Sequence, residues 1–173
     1  DTGSGIGSET LDLVASSVRT IEGDDQQTDP GNPFFNARLP LVATFEFNGA
    51  NLTVVNNHFS SKGGSTPLFG VTQPPLNGSA DERLDQAQAV ADFVAAEQNL
   101  VDGVIVLGDF NEFEFEDSLD PLYDIGLVNL TNSLPEEERY TFIFDGNSQA
   151  LDHIFVTSGL VPVTQFDTVH INV

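Results

Sequence analysis

Apolar and polar positions are most regular between residues 39 and 59. Leu39 to Phe47 and Leu52 to Phe59 are β-branched and aromatic runs flanking Asn48-Gly49, and such a pair predicts a β-hairpin. Ala50 and Asn51 follow the dipeptide, which leaves room for a loop longer than two residues. Strand alternation puts Val54, Asn56 and His58 on one face and Val55, Asn57 and Phe59 on the other. From Asp81 to Gln98 the period changes. Leu84, Ala87, Gln88, Ala91 and Val94 or Ala95 fall near helical spacing, with Ser79 or Asp81 as the cap. Val101 to Leu107 is a continuous apolar run and predicts a buried strand.

Weaker patterns fill the rest. Leu11 to Ile21 predicts one strand, and Leu119 to Leu122 starts a short helix. Tyr140 to Phe144 and Leu151 to Val156 predict two strands with Asp145-Gly146-Asn147 turning between them. Phe166 to Val173 predicts an extended run. Ser60 to Ser79 is a polar loop with four Gly and three Pro, and a loop of that length inside a domain is usually functional. Strands mixed with a good helix predict an α/β or α+β sandwich. Residues 1–32 form an acidic, Gly/Ser-rich N-terminal segment, and residues 33–173 the main domain.

Charge narrows the chemistry. Twenty-seven acids against five Lys and Arg give a net charge of −22, which argues against a broad electrostatic grip on nucleic acid. A salt-rich or extracellular medium screens such self-repulsion, so the expectation is either a secreted, marine or halophilic source or an ordinary acidic soluble protein. Cysteine is absent, which excludes disulfides and thiolate sites and leaves oxygen and imidazole ligands suited to hard ions. No stretch is apolar and long enough to span a bilayer. Asp1 to Thr10 is small and polar, as expected of a chain cut from something longer.

Candidate chemistry begins at Gly108-Asp109-Phe110-Asn111, directly after the buried strand. Alternation lets Asp109 and Asn111 share a face, where a carboxylate and an amide hold a water and a phosphoryl oxygen together. The competing reading is an ordinary turn. His58 ends a hairpin strand and is placed either to donate to a phosphate or to sit half-buried as a structural residue. Asp152 interrupts an apolar strand. A buried acid needs a partner, and adjacent His153 faces the other way, so a His from elsewhere is the better match. Three of the five cations, Arg38, Lys62 and Arg83, lie beside these elements. They serve either an anionic substrate or neighbouring acids such as Asp81, Glu82 and Asp85.

Taken together, these residues resemble the endonuclease/exonuclease/phosphatase superfamily, the DNase I-like fold. The elements, in order, are Arg38; Asn57-His58-Phe59-Ser60-Ser61-Lys62-Gly63; Arg83, Gln86 and Ala87; Gly108-Asp109-Phe110-Asn111; and Ser148-Gln149-Ala150-Leu151-Asp152-His153-Ile154. The closest resemblance is to secreted bacterial nucleases and covers about residues 33–173. It implies part of a four-layer α/β/β/α sandwich and a Mg²⁺-dependent site, with Ca²⁺ or Mn²⁺ as alternatives. Asp109 would be the base or water-orienting carboxylate near the metal. Asn111 would bind the phosphate and the metal region. His58 would stabilise developing charge, and Asp152 would orient a catalytic His. Arg38, Lys62 and Arg83 would meet the substrate.

Two family elements have no counterpart here. One is an upstream Asn and metal-binding Glu, for which Glu9 and Glu22 sit in the wrong context. The other is a closing Ser-Asp-His, in place of which the sequence runs His170-Ile171-Asn172-Val173. The expectation is a C-terminal portion of a larger domain, inactive alone, with an apolar sheet face available for self-association. Three functions follow: a nuclease, a phosphomonoesterase or lipid phosphodiesterase of the same fold, or a non-catalytic structural fragment.

Overall fold

A computed structural model of the chain describes residues 10–21 and 28–170. Glu9, Glu22 and the segment after His170 lie outside the described residues. The central element is the predicted hairpin, β3 (Leu41–Phe47) with β4 (Ala50–His58). The turn between them is only Asn48-Gly49, both at positive φ, 51° and 81°. That is the geometry a right-twisted two-residue hairpin requires, so no longer loop is needed. Two short strands, β1 (Leu11–Leu13) and β2 (Arg19–Thr20), pair with β3. They replace the single strand expected over Leu11 to Ile21, because Ser16 at φ 61° breaks the extended run.

After the long loop, α1 (Ala80–Glu97) carries the chain across to β5 (Gly103–Asp109), which lies parallel to β4. Ser79 holds the cap position in a left-handed conformation, without a side-chain capping bond. A short helix α2 (Asp120–Asp124) leads to β6 (Leu127–Asn129). β7 (Phe142–Phe144) and β8 (Asn147–Gln149) form a separate two-stranded hairpin around Asp145-Gly146. β9 (Asp152–Thr157) returns to the main sheet, antiparallel to β5 and β6. The sheet order is β1-β3-β4-β5-β9-β6, with β2 also on β3. The extended run expected from Phe166 onward is not a strand over residues 166–170. Its remainder lies outside the described residues.

One face of the sheet carries the core. Val42, Val55, Val104, Val106 and Phe155 pack beneath Ala87, Val90, Ala91 and Val94 of α1 and Leu119 and Leu122 near α2. Edge strand β2 is tied to α1 by Arg19 and Glu97 at 2.8 Å, and Glu97 also accepts a hydrogen bond from Thr53. The other face has little over it among the described residues. Leu11, Leu13 and Leu41 are exposed, and Phe45, Leu52, Val54, Ile105, Leu107 and Ile154 are half-buried. Leu160 sits over this face at Gly103, close enough that a Cβ there would meet it at 2.8 Å. The fold is therefore α/β, a mixed sheet with helices. Among the described residues, one helical layer covers one face of the main sheet.

Candidate active site

Three strands end side by side on the open face. Pairing puts His58 of β4 opposite Asp109 of β5, and Asp109 opposite Asp152 of β9. Paired residues in a sheet point to the same side, so the three side chains form a row. His58 Nε2 lies 3.8 Å from Asp109 Oδ2, and both side chains are part-exposed. Asp152 is exposed, while His153 points into the core. Two carboxylates in adjacent register repel unless a cation or a proton comes between them. The row is thus built to attract positive charge.

Gly108 makes this row possible. Its φ is 129°, and a Cβ at that position would lie 2.1 Å from the Asn57 carbonyl oxygen. No L side chain fits both constraints. The close approach lets the Phe59 N–H donate to the Asp109 carbonyl at 2.9 Å. Phe110 is fully buried and packs edge-on against Phe59, with centroids 4.9 Å apart.

Asn111 joins Asp109 by a route other than strand alternation. The strand ends at Asp109, and Asn111 turns at φ 50°. Its backbone N–H donates to Asp109 Oδ1 at 2.8 Å, and its side-chain Nδ2 donates to the Phe59 carbonyl at 3.0 Å. Residues 109–111 therefore form a turn, closed by the Asn111 N–H on the Asp109 carboxylate. These bonds use Asp109 Oδ1 and Asn111 Nδ2, not Asp109 Oδ2 or Asn111 Oδ1.

Glu112, one residue further, was not singled out in the sequence. It is completely buried. It accepts from Lys62 Nζ at 2.7 Å, Asn77 at 2.9 Å, Arg83 Nε at 2.9 Å and Ser118 at 2.7 Å. Burial pushes its carboxyl up. The hydrogen bonds from Lys62, Ser118 and Asn77, with the Arg83 charge, outweigh that and hold it at about 2. Burial also lowers the Lys62 ammonium, against the pull of Glu112. The Glu112 carbonyl accepts from His153 Nε2 at 2.8 Å, and burial lowers that imidazole too.

This network corrects the expectation that Lys62 and Arg83 meet the substrate. The Arg83 side chain is fully buried, and its N–H groups go to Glu112, Asn77 and the carbonyls of Ser60, Ser61 and Gly78. Lys62 is turned inward onto Glu112 and Asn77. A buried carboxylate needs such partners, and here they pin both ends of the long loop to the Asp109 turn. Arg38 differs. It is exposed, forms no ion pair among the described residues, and lines a cleft of about 960 Å³ together with His58, Ser60 and Ser61.

A divalent ion needs six or more oxygen ligands in all, several of them from the protein. Among the described residues, no group of three or more His, Asp or Glu is placed to hold one. Asp109 Oδ2 and Asn111 Oδ1 alone do not fit a complete metal site.

The fold agrees with comparison to known proteins. The model of the Endonuclease/Exonuclease/phosphatase family matches residues 11–171, and the chain belongs to that family. Among solved structures it is similar to humanized D. rerio TDP2 carrying 14 mutations, with 19% identity, a TM-score of 0.54, and coverage of 86% of this chain and 52% of that one. The human Nocturnin catalytic domain with bound sulfate anion gives 15% identity, a TM-score of 0.55, and coverage of 86% and 48%. D. rerio TDP2 complexed with single strand DNA product gives 17% identity, a TM-score of 0.51, and coverage of 86% and 54%. At such identities the likeness is one of fold. The chain spans about half the length of these structures. No curated protein matches it.

Proposed function

We propose that the protein is a metal-dependent phosphodiester hydrolase whose chemistry runs along the His58–Asp109–Asp152 row. The observation that carries this reading is the register that puts these three residues on one face at three adjacent strand ends. Asp109, whose Oδ2 faces His58 Nε2 at 3.8 Å without a direct hydrogen bond, orients and deprotonates the attacking water. His58 donates to a phosphoryl oxygen as its charge grows. The exposed Arg38 donates to the rest of the phosphate, and Asn111 Oδ1, an acceptor, is available to a cation beside Asp109. Asp152 orients a further donor.

Nucleic acid is the first substrate proposed. The family supports it, and a similar protein, TDP2, has been solved with a single strand DNA product. Mg²⁺ is the proposed ion, with ligands beyond Asp109 and Asn111. The 173 residues alone are then expected to bind it weakly and turn over little. The charge of −22 supports an extracellular or salt-rich setting. It also favours a second reading, a phosphomonoester or lipid phosphodiester substrate, since a polyanion is repelled.

A panel of DNA, RNA, sugar phosphate and phospholipid, offered to the full-length gene product with Mg²⁺, Mn²⁺ or Ca²⁺, separates these readings. Release of phosphate or of a phosphoester from any member supports hydrolysis and names the class. Inertness towards every one refutes the proposal.

A further inference from the structure

A groove of about 450 Å³ borders the chain segments that carry Asn111 and Asp152. Phe113, Phe115 and Tyr140 line it, with Glu114, Glu136 and Glu137 among them. Phe113 and Phe115 stack, with centroids 5.4 Å apart and rings inclined 13°. Phe113 already holds one cation, Lys62 Nζ, 4.5 Å from its centroid. Phe115 is 73% exposed, with Phe113 as its sole ring partner among the described residues. Tyr140 stacks on His170 through one face, 3.8 Å between centroids.

The groove's charge is mainly negative, three carboxylates against the one guanidinium of Arg139. Glu114, Glu136 and Glu137 form no ion pair among the described residues. Arg139, the only base lining the groove, donates instead to the carbonyls of Leu134 and Asn132. Aromatic faces attract cations through the ring quadrupole, and three unpaired carboxylates add to that attraction. The same carboxylates oppose a phosphate chain, and they give no advantage to a neutral ring.

We propose that this groove binds a cationic organic group, a quaternary or alkylated ammonium. It would serve as the headgroup pocket for a phosphoester whose phosphorus sits at the strand ends. That role rests on the phosphoester hydrolase reading, but the binding itself does not.

The test is an NMR titration of the 173-residue chain at constant ionic strength. The probes are choline, its neutral carbon isostere 3,3-dimethylbutan-1-ol, and adenosine. Choline is expected to shift the amides of residues 113–115 and 136–140 saturably, and to bind about three- to fivefold tighter than the isostere. Phe115→Ala, and Glu136→Gln with Glu137→Gln, are each expected to weaken choline about threefold or more. These residues are exposed, so the fold is retained, and unchanged spectra elsewhere verify it. Equal binding of choline and isostere, preference for adenosine, choline shifts elsewhere, or no saturable shift would each overturn the proposal. Because no turnover is measured, this outcome is independent of the substrate panel.

Discussion

His58 and Asp109 face each other across parallel strands β4 and β5, with Nε2 3.8 Å from Oδ2. The separation exceeds a direct hydrogen bond and leaves room for a group that both can touch. If that group is the reacting phosphoryl centre and its water, His58→Ala in the full-length protein lowers kcat by about 10²–10⁴-fold. Steady-state kinetics on whichever phosphoester is cleaved reads this out. Wild-type kcat in the variant would remove His58 from the chemistry.

Gly108→Ala tests the backbone approach that aligns the row. The new Cβ would lie 2.1 Å from the Asn57 carbonyl oxygen at a φ of 129°. The expected loss is at least about 2 kcal/mol of stability, measured by urea denaturation. A stability unchanged within error would mean that β4 and β5 do not approach this closely.

Glu112 predicts an acid-dependent stability. Its carboxyl sits at about 2, against an ordinary 4.5. A depressed carboxyl stabilises the fold above the unfolded value, and that contribution is lost as pH falls from about 4.5 through 2. Burial lowers His153 from 6.5. Its neutral form therefore favours folding above pH 6.5, and stability declines as pH falls below that. Glu112→Gln leaves Arg83 and Lys62 buried without their counter-ion, so it costs about 3–5 kcal/mol near neutrality. It also flattens the limb between pH 4.5 and 2. Denaturation curves across pH for both proteins measure the two effects.

The open sheet face predicts association. Leu11, Leu13 and Leu41 are exposed beside half-buried Phe45, Leu52, Val54, Ile105 and Leu107, and an apolar surface of this kind is rarely left in water. Light scattering of the 173-residue chain is expected to show mass growing with concentration, most clearly at high salt, where the −22 charge is screened. A monomer at all concentrations would contradict this.

Much of the fold was legible because its signals are local. Asn48-Gly49 names its own turn, the 3.6-residue period marks α1, and an unbroken apolar run marks β5. Strands β6 and β8, three residues each, are too short to show a period. The row of His58, Asp109 and Asp152 was visible only as separate residues, since their adjacency comes from sheet register. Glu112 was hidden for a related reason. Its partners Arg83 and Lys62 lie 29 and 50 residues away, and a run of seven acids over residues 109–124 gives no sign of which one is buried. Lys62 and Arg83 therefore looked like substrate contacts, where the buried carboxylate had claimed them.

The most direct test of the account is phosphodiester cleavage by the full-length gene product, wild type against Asp109→Asn, in the presence of Mg²⁺. Asparagine keeps the size and the turn-accepting oxygen but removes the base. Metal-dependent cleavage by the wild type is expected, with a loss of at least about 10²-fold in the variant and stability little changed. Cleavage at the wild-type rate by Asp109→Asn would contradict it.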